Sequence, residues 1–286
     1  MENYEEYREA GRVARDALKL GIKNIKEGKS YLELAEEIEE YIKRKADLAF
    51  PVNISVNSTA AHYTPAKNDE LVFEKGDVVK IDVGAHVNGY IGDTAKTVEI
   101  GTKKYEKLIE SAEKALEEAI KMVRDGIKVS EIGKKIEECI TKYGFKPVKN
   151  LQGHSLERYN LHAGLSIPNF DNKSQKKLKV GQVVAIEPFA TDGAGIVVDA
   201  GIGNIYRIAK NSPFISQIRR RFSSLPFAER WLYEIYGEKT QSKLTFFIRR
   251  GLIAPYYKLV DMQGGMVAQA EHTLLIKEDG CEVLTI

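Results

Sequence analysis

The sequence predicts an α+β fold built from two copies of one strand-and-helix unit. Residues 76–83 (GDVVKIDV) are echoed by residues 181–188 (GQVVAIEP), with an acidic residue at the seventh place of each segment. Residues 33–42 (ELAEEIEEYI) are likewise echoed by residues 131–140 (EIGKKIEECI) at an offset of 98. Two copies indicate a pseudo-symmetric single domain, because a solenoid needs three or more repeats.

The first copy contains a predicted hairpin in which β-branched runs flank Asn88 and Gly89. An Asn-Gly pair between two such runs favours a two-residue turn. With that turn, Asp82 lies opposite Ala95, and Asp82 and Asp93 share one face of the strand pair. Diagonal neighbours on one face lie roughly 7–8 Å apart at Cα, so the two carboxylates could share one cation or a cation pair. A hairpin whose Asp side chains face water is the alternative at this point.

The second copy supplies a matching pair of acids. Glu187 stands at the place of Asp82, and the partner expected on a return strand is Glu271, in the apolar segment 266–276. Eleven residues separate the two acids of the first copy, whereas 84 separate those of the second. An insertion of about 73 residues into the second copy is therefore predicted.

Three histidines are candidates for chemistry at this acidic site. His62 lies in segment 50–65, which begins as a strand and ends as a polar loop just ahead of the first hairpin. His154 and His162 lie eight residues apart in a segment with nearby glycines, and this spacing indicates different roles for the two rings. A structural role is the alternative for any single histidine. We expect structural roles for the two remaining histidines, His86 and His272.

Four amphipathic helices are predicted to cover the sheet. Their predicted ranges are residues 4–27, a helix that opens at Ser30, residues 104–124 and residues 129–143. Gly28 is expected to end the first helix, and Ser30 followed by Glu33 is a capping-box pattern.

The predicted insert, residues 204–257, differs in composition from the rest of the chain. It contains basic runs at residues 219–221 and 249–250 and two segments of helical character. A compact helix-turn-helix unit that binds nucleic acid is one interpretation. The charges are dispersed along the helices, so a solvated helix face is the preferred interpretation.

Composition narrows the class of protein. The chain has 286 residues, is 43% hydrophobic and carries a formal charge of +2, which gives no reason to expect nucleic acid or an acidic membrane as the main partner. Two cysteines are too few for a disulfide framework and indicate a reducing compartment. The first residues, MENYEE, lack the features of a secretory signal, and no apolar run approaches the roughly 18 residues of a membrane span.

Six short motifs resemble the type 2 methionine aminopeptidases of the pita-bread fold, in the short form found in archaea. The motifs are residues 60–65 (AAHYTP), 80–84 (KIDVG), 152–154 (QGH), 161–164 (LHAG), 186–188 (IEP) and 269–273 (QAEHT). This resemblance implies a curved antiparallel sheet covered by two pairs of helices, with the site at a pseudo-twofold axis. It also implies a catalytic domain of residues 1–203 and 258–286, with residues 204–257 as an inserted helical, winged-helix-like subdomain.

The same resemblance implies the roles of particular residues. The metal ligands would be Asp82, Asp93, His154, Glu187 and Glu271. They would hold two divalent cations, for which Co, Mn, Fe and Zn are candidates, and hydroxide activated by the cations would attack the scissile carbonyl. The resemblance further implies that Glu187 handles a proton, that His62 and His162 contact the substrate, and that Phe50, Ile205 and Tyr256 line its pocket.

The implied function is removal of the initiator methionine from nascent proteins and peptides, preferentially before a small second residue. We accordingly expect a cytoplasmic monomer that meets nascent polypeptides at the ribosome, without a membrane or a specific nucleic acid as partner.

Two alternatives remain at this stage. A proline dipeptidase or creatinase relative would share the five ligands, but those relatives usually carry a separate N-terminal domain, whereas the first acid here is already at residue 82. A non-catalytic binding protein of the proliferation-associated class would have lost ligands, whereas all five positions are filled. The intact site, more than the fold, favours the enzyme.

Overall fold

The computed structural model describes residues 4–286. The absence of a secretory signal was inferred from residues 1–6. Residues 1–3 of that segment lie outside the described range. The helices are α1 (Tyr4–Asn24), α2 (Tyr31–Lys43), α3 (Glu106–Met122), α4 (Val129–Lys142), α5 (Ser216–Phe222), α6 (Tyr233–Tyr236) and α7 (Thr240–Arg249), with short 3-10 turns at Pro213–Ile215, Arg230–Leu232 and Gly237–Lys239.

Fifteen strands are found in the same range. Those of the first part of the chain are β1 (Asp47–Leu48), β2 (Asn53–Val56), β3 (Thr59–Ala61), β4 (Val78–Val87), β5 (Tyr90–Glu99), β6 (Lys146–Pro147), β7 (Gln152–Leu156) and β8 (Ser166–Pro168). Those of the second part are β9 (Val183–Ile186), β10 (Phe189–Thr191), β11 (Val197–Ile208), β12 (Phe227–Ala228), β13 (Ile253–Asp261), β14 (Val267–Lys277) and β15 (Gly280–Val283).

The large sheet joins the two copies of the unit at its centre. Its strand order is β1-β4-β5-β14-β9-β7-β8, and the neighbouring strands pair antiparallel. Strand β4 lies beside β5 as β9 lies beside β14, and the two return strands β5 and β14 pair with each other. The predicted duplication is therefore visible as a sheet with two equivalent halves.

Two helix pairs cover this sheet, as expected. Helices α1 and α2 pack on β4 and enclose one apolar core, whereas α3 and α4 pack on β9 and β14 around another. Helix α1 ends at Asn24, a few residues before Gly28, which forms the following turn with φ +80°. Helix α2 begins where predicted, because the Ser30 hydroxyl accepts a hydrogen bond of 3.1 Å from the Leu32 amide.

The predicted hairpin register is confirmed. Asp82 pairs with Ala95 and Asp93 with Gly84. Asn88 and Gly89 have φ values of 50° and 92°, which is the backbone that a two-residue turn of this kind requires.

The segment predicted as an insert, residues 204–257, contributes to a second sheet and to a separate apolar core. Strands β12, β11, β13 and β3 form a second antiparallel sheet in that order, and helices α5 and α7 pack on it through an apolar cluster that includes Trp231 and Phe247. Residues 204 and 257, where the insert was predicted to begin and end, lie inside β11 and β13. No helix between residues 4 and 286 is long and apolar enough to cross a membrane.

Candidate metal and substrate site

Strand pairing alone brings three carboxylates to one face of the large sheet. Asp82 on β4 and Glu271 on β14 both lie opposite Ala95 of β5, from its two sides. Asp93 is two residues from Ala95 and therefore projects from the same face of β5. The three acids converge where the two halves of the sheet meet.

Strands β9 and β7 bring the remaining two donors to this point. Ile186 pairs with His272, so that Glu187 follows β9 beside Glu271. His154 of β7 pairs with Ala185 of β9. Its Nε2 atom lies 3.6 Å from Oε1 of Glu187 and 3.7 Å from Oδ2 of Asp93.

Three of these side chains lie close enough together to hold a cation. One ligand atom from each of Asp93, His154 and Glu271 lies within 4.8 Å of the others. One carboxylate oxygen of Asp82, of Asp93 and of Glu271 is buried without a hydrogen-bond partner among the described residues. Buried polar atoms are almost always paired, and oxygen with imidazole is a donor set that divalent first-row metals accept. The arrangement therefore suits divalent metal ions.

The pKa values of these carboxyl groups also indicate a cation site. Burial raises the pKa of Asp82 from 3.8 to about 7, although a hydrogen bond from Gln269 opposes this shift. Burial, together with the charges of the neighbouring acids, raises the pKa of Asp93 and Glu271 well above their usual values, and burial with the charge of Asp82 does the same for Glu187. A nearby positive charge would favour the ionised forms.

His62 reaches the site from the loop that follows β3. It has φ +64°, a left-handed conformation that is unusual for a residue with a side chain. A Cβ atom at Gly203 would lie only 1.7 Å from the His62 carbonyl oxygen, so glycine at 203 is required for this loop to approach β11. The His62 ring packs edge-on against Tyr256 with centroids 5.2 Å apart.

The three histidines of the site are held neutral near pH 7. Burial, followed by the charge of His162, lowers the pKa of His62 to about 4, and burial followed by the same charge lowers that of His154 to about 3. Burial also lowers the pKa of His162, whose ring centroid lies 4.5 Å from that of His154. A neutral imidazole can bind a metal or hydrogen-bond a peptide group.

The structure brings all ten residues named from the sequence into one cavity of about 270 Å³. They are Phe50, His62, Asp82, Asp93, His154, His162, Glu187, Ile205, Tyr256 and Glu271. Ile205 and Tyr256 are paired on β11 and β13, so one wall of the cavity comes from the inserted region's sheet.

Two further polar residues at the site were not given a role from the sequence, Asn53 in the cavity wall and Gln269 beside Glu187. Asn53 pairs with Asp82 across β2 and β4, and its buried Oδ1 atom has no hydrogen-bond partner within residues 4–286. Gln269 places its side-chain amide 3.3 Å from Oε2 of Glu187. Gln269 could have been identified from the sequence, because it lies two residues before Glu271 on β14 and a strand has a period of two. Asn53 is placed by the register of β2 against β4, and the local sequence gives no signal of that register.

Comparison with known proteins identifies the family of this chain. The model of metallopeptidase family M24 matches residues 5–278. The chain belongs to metallopeptidase family M24. Among its M24 relatives, a methionine aminopeptidase from Methanocaldococcus jannaschii is 44% identical over 294 residues, which cover 100% of this chain and 99% of that one. The resemblance inferred from the motifs is confirmed.

Solved structures agree on the M24 fold. A methionine aminopeptidase from Thermotoga maritima is 26% identical, has a TM-score of 0.75 and is matched over 99% of this chain and 98% of that one. A thermophilic Arx1 is 17% identical with a TM-score of 0.83, over 98% of this chain and 90% of that one. At that identity the second likeness shows the fold alone. The expected pita-bread fold is confirmed.

Proposed function

We propose that this chain is a metal-dependent aminopeptidase that removes the N-terminal methionine from proteins and peptides, preferentially when the second residue is small. The observation that carries the proposal is the convergence of four carboxylates and one imidazole in a single buried cavity. The full-length identity of 44% with a methionine aminopeptidase supports it, because relatives this similar over the whole chain seldom differ in reaction class.

The proposed metal ligands are Asp82, Asp93, His154, Glu187 and Glu271, with two cations per chain. Asp93 and Glu271 come from the two central strands and, together with His154, would hold a cation between the two halves of the sheet. Cations held there would lower the pKa of water towards neutrality and polarise the scissile carbonyl. Mn, Fe, Co and Zn all suit this donor set.

Glu187 is the proposed carrier of the proton that passes from water to the leaving amine. Its carboxyl group lies 3.6 Å from His154 in the cavity, and the Gln269 amide, 3.3 Å from Oε2, would hold the carboxyl group in place. His62 and His162 are the proposed contacts to the peptide group of the substrate. Their lowered pKa values support neutral rings, each with one donor and one acceptor nitrogen.

The methionine side chain is proposed to lie against Phe50, Ile205 and Tyr256. Phe50 is 5% exposed and Ile205 is 4% exposed, so a thioether in contact with them would be removed from water. An unbranched, polarisable side chain fills an irregular apolar space well.

The division of the chain and its cellular setting complete the proposal. We propose a catalytic domain of residues 1–203 and 258–286 with residues 204–257 as an inserted subdomain. The separate apolar core of the inserted region supports this division. We further propose a cytoplasmic monomer that acts on nascent polypeptides at the ribosome and does not require a membrane or a specific nucleic acid.

Hydrolysis of two peptides tests the proposed reaction. Metal-free protein is incubated with Met-Ala-Ser and with Ala-Pro, before and after addition of Mn, Co, Fe or Zn, and the released amino acids are quantified. We expect metal-dependent release of Met from the first peptide only. Cleavage of Ala-Pro instead would indicate a proline dipeptidase, and no cleavage with any metal would favour a binding protein.

A further inference from the structure

A buried ion pair joins the inserted region to helix α2. The guanidinium of Arg230 contacts the carboxylate of Glu39, and both side chains are 3% exposed. Oε2 of Glu39 also accepts a hydrogen bond of 2.8 Å from the Trp231 indole, and Oε1 accepts one of 3.3 Å from the Val52 amide. The carboxylate is therefore held from both sides of the junction.

The other edge of the same guanidinium holds the loop that carries His62. Nη1 of Arg230 donates to Oγ1 of Thr64 and to the carbonyl oxygen of Pro65, each at 2.8 Å. Thr64 in turn donates from its amide to the Gly203 carbonyl at 3.0 Å. The loop is thus fixed within three residues of the imidazole.

This loop needs such restraint because His62 is left-handed at φ +64°. A non-glycine residue in that region is strained and persists only where surrounding contacts determine it. The Arg230 hydrogen bonds to residues 64 and 65 are contacts of this kind. They define where the His62 ring stands relative to the metal ligands.

Stability alone is a weak explanation for this ion pair. Burying two charges costs free energy that their attraction only roughly offsets, and an apolar pair of similar volume is often as stable. An apolar pair could not donate to the Thr64 hydroxyl or the Pro65 carbonyl. The charged pair therefore fixes the geometry of the His62 loop, which an apolar pair could not do.

We propose that Arg230 and Glu39 are positioning residues, through which the inserted region orients His62 towards the substrate. The inference rests on the proposed function, in which His62 contacts the peptide group. It assigns the inserted region a part in the chemistry of the large sheet, in addition to lining the pocket with Ile205.

A double-mutant cycle tests the proposal. In otherwise wild-type protein, Arg230→Met is expected to lower kcat for Met-Ala-Ser by up to about 100-fold, with metal content unchanged. In a His62→Ala background, which should also retain metal, the same substitution is expected to cause no further loss. An equal loss in both backgrounds would overturn the proposal, because Arg230 would then act independently of His62.

The matched control is Arg221→Met, which breaks an ion pair within the inserted region. Arg221 and Glu234 are 2.7 Å apart but 58% and 56% exposed, so this pair contributes little, and kcat should not change. If Arg230→Met does not fold, Thr64→Val replaces it in the cycle, since it removes one acceptor of Arg230 without leaving a buried charge unpaired. The same non-additivity with His62→Ala is expected, and additivity overturns the proposal here as well.

A measurement on metal-free protein separates this proposal from the proposed function. The imidazole NMR signals of His62, assigned by comparison with His62→Ala, should shift in Arg230→Met or Thr64→Val and stay in place in Arg221→Met. An unshifted signal in the folded variants would overturn the positioning role even if the enzyme releases methionine. If the signal shifts as expected but the wild-type protein has no peptidase activity, the missing activity counts against the proposed function and not against the positioning role.

Discussion

The two halves of the large sheet reach the same arrangement of acids by different routes. Asp82 and Asp93 lie on strands joined by a two-residue turn, whereas the whole inserted region separates Glu187 from Glu271. Strand order and register are nevertheless equivalent, because β9 lies beside β14 as β4 lies beside β5. The position of a carboxylate thus depends on the pairing of its strand and very little on the length of the connection.

The two halves differ two residues before these acids, at Lys80 in the first half and Ala185 in the second. A shift of 105 residues, which relates Glu187 to Asp82, also relates Ala185 to Lys80. Ala185 is paired with His154, whereas Lys80 is paired with Ser55. The Lys80 ammonium group is turned to the carbonyl oxygens of residues 57 and 78, at 2.7 and 3.2 Å. Symmetry therefore accounts for the four acids, and departure from symmetry supplies the imidazole.

Removing one acid from either half is the change with the largest expected effect. Asp82→Ala or Glu271→Ala should reduce methionine release to background, a loss beyond the roughly 10²–10³-fold that one missing hydrogen-bond donor to a transition state costs. Metal content, measured by mass spectrometry, should fall in parallel, while circular dichroism shows a folded chain. Wild-type activity in either variant would refute the equivalence of the two halves.

Removal of metal with a chelator should reveal the cost of burying the Asp82 carboxylate in the first half. The pKa of Asp82 is raised from 3.8 to about 7 in the folded chain, so the folded state holds this proton more tightly than the unfolded state does. The stability that this group contributes is present below about pH 4 and is lost as the pH rises towards 7.

The Tm difference between Asp82→Asn and wild type, in the presence of a chelator, should therefore grow in favour of the variant from pH 4 to pH 7. Because the amide cannot ionise, the comparison reports the ionisation of Asp82 together with its effect on the acids beside it. A constant difference over this range would show that Asp82 titrates normally. Adding metal should reverse the order of the two proteins at pH 7.

The departure from symmetry at His154 and Ser55 can be tested by one substitution on each side. His154→Ala should weaken metal binding by at least the roughly 10–100-fold typical of a residue that only orients a ligand. Ser55→Ala should leave metal affinity unchanged and should not lower Tm, because the Ser55 hydroxyl is buried without a partner among residues 4–286. Calorimetric metal titration of both proteins gives the answer, and equal effects would contradict it.

Two threonines that join the halves should give the smallest effects. The Thr273 hydroxyl accepts from the Asp93 amide and donates to its carbonyl, at 2.8 and 2.7 Å, and Thr97 forms the same pair of bonds with Gln269. Each change to Val should cost about 1–3 kcal/mol of stability, because a buried amide loses its acceptor. Thr273→Val alone should also lower metal affinity, and an identical metal affinity in both variants would show that the bonds to Asp93 do not orient its carboxylate.

Local signals were sufficient to predict much of the fold and the acids of the site. The turn at Asn88 and Gly89 determines the register of the first hairpin, and the parity of positions 82 and 93 then gives the shared face. Repetition of the same unit leads from Asp82 to Glu187, and from Asp93 to Glu271. These inferences succeed because each depends on residues that are near in sequence or on a copied pattern.

The features that could not be predicted depend on contacts between distant segments. Arg230 and Glu39 are 191 residues apart, and neither shows a local signal of pairing with the other. Asn53 faces the cavity because of the β2 register, and Gly203 is needed only because the His62 loop passes close to it. Strands β11 and β13 also continue through residues 204 and 257, where the predicted insert begins and ends.

The central place of β14 has a consequence for how the chain folds. This strand follows the inserted region in sequence, yet it pairs with β5, β9, β10 and β15. Until residues 267–277 are in place, β5 has an unpaired edge, and such edges invite association with other chains. Contacts of this sequence separation also form slowly. A ribosome-bound chain stalled before residue 267 should therefore be prone to aggregation, even with its first hairpin and both helix pairs already synthesised.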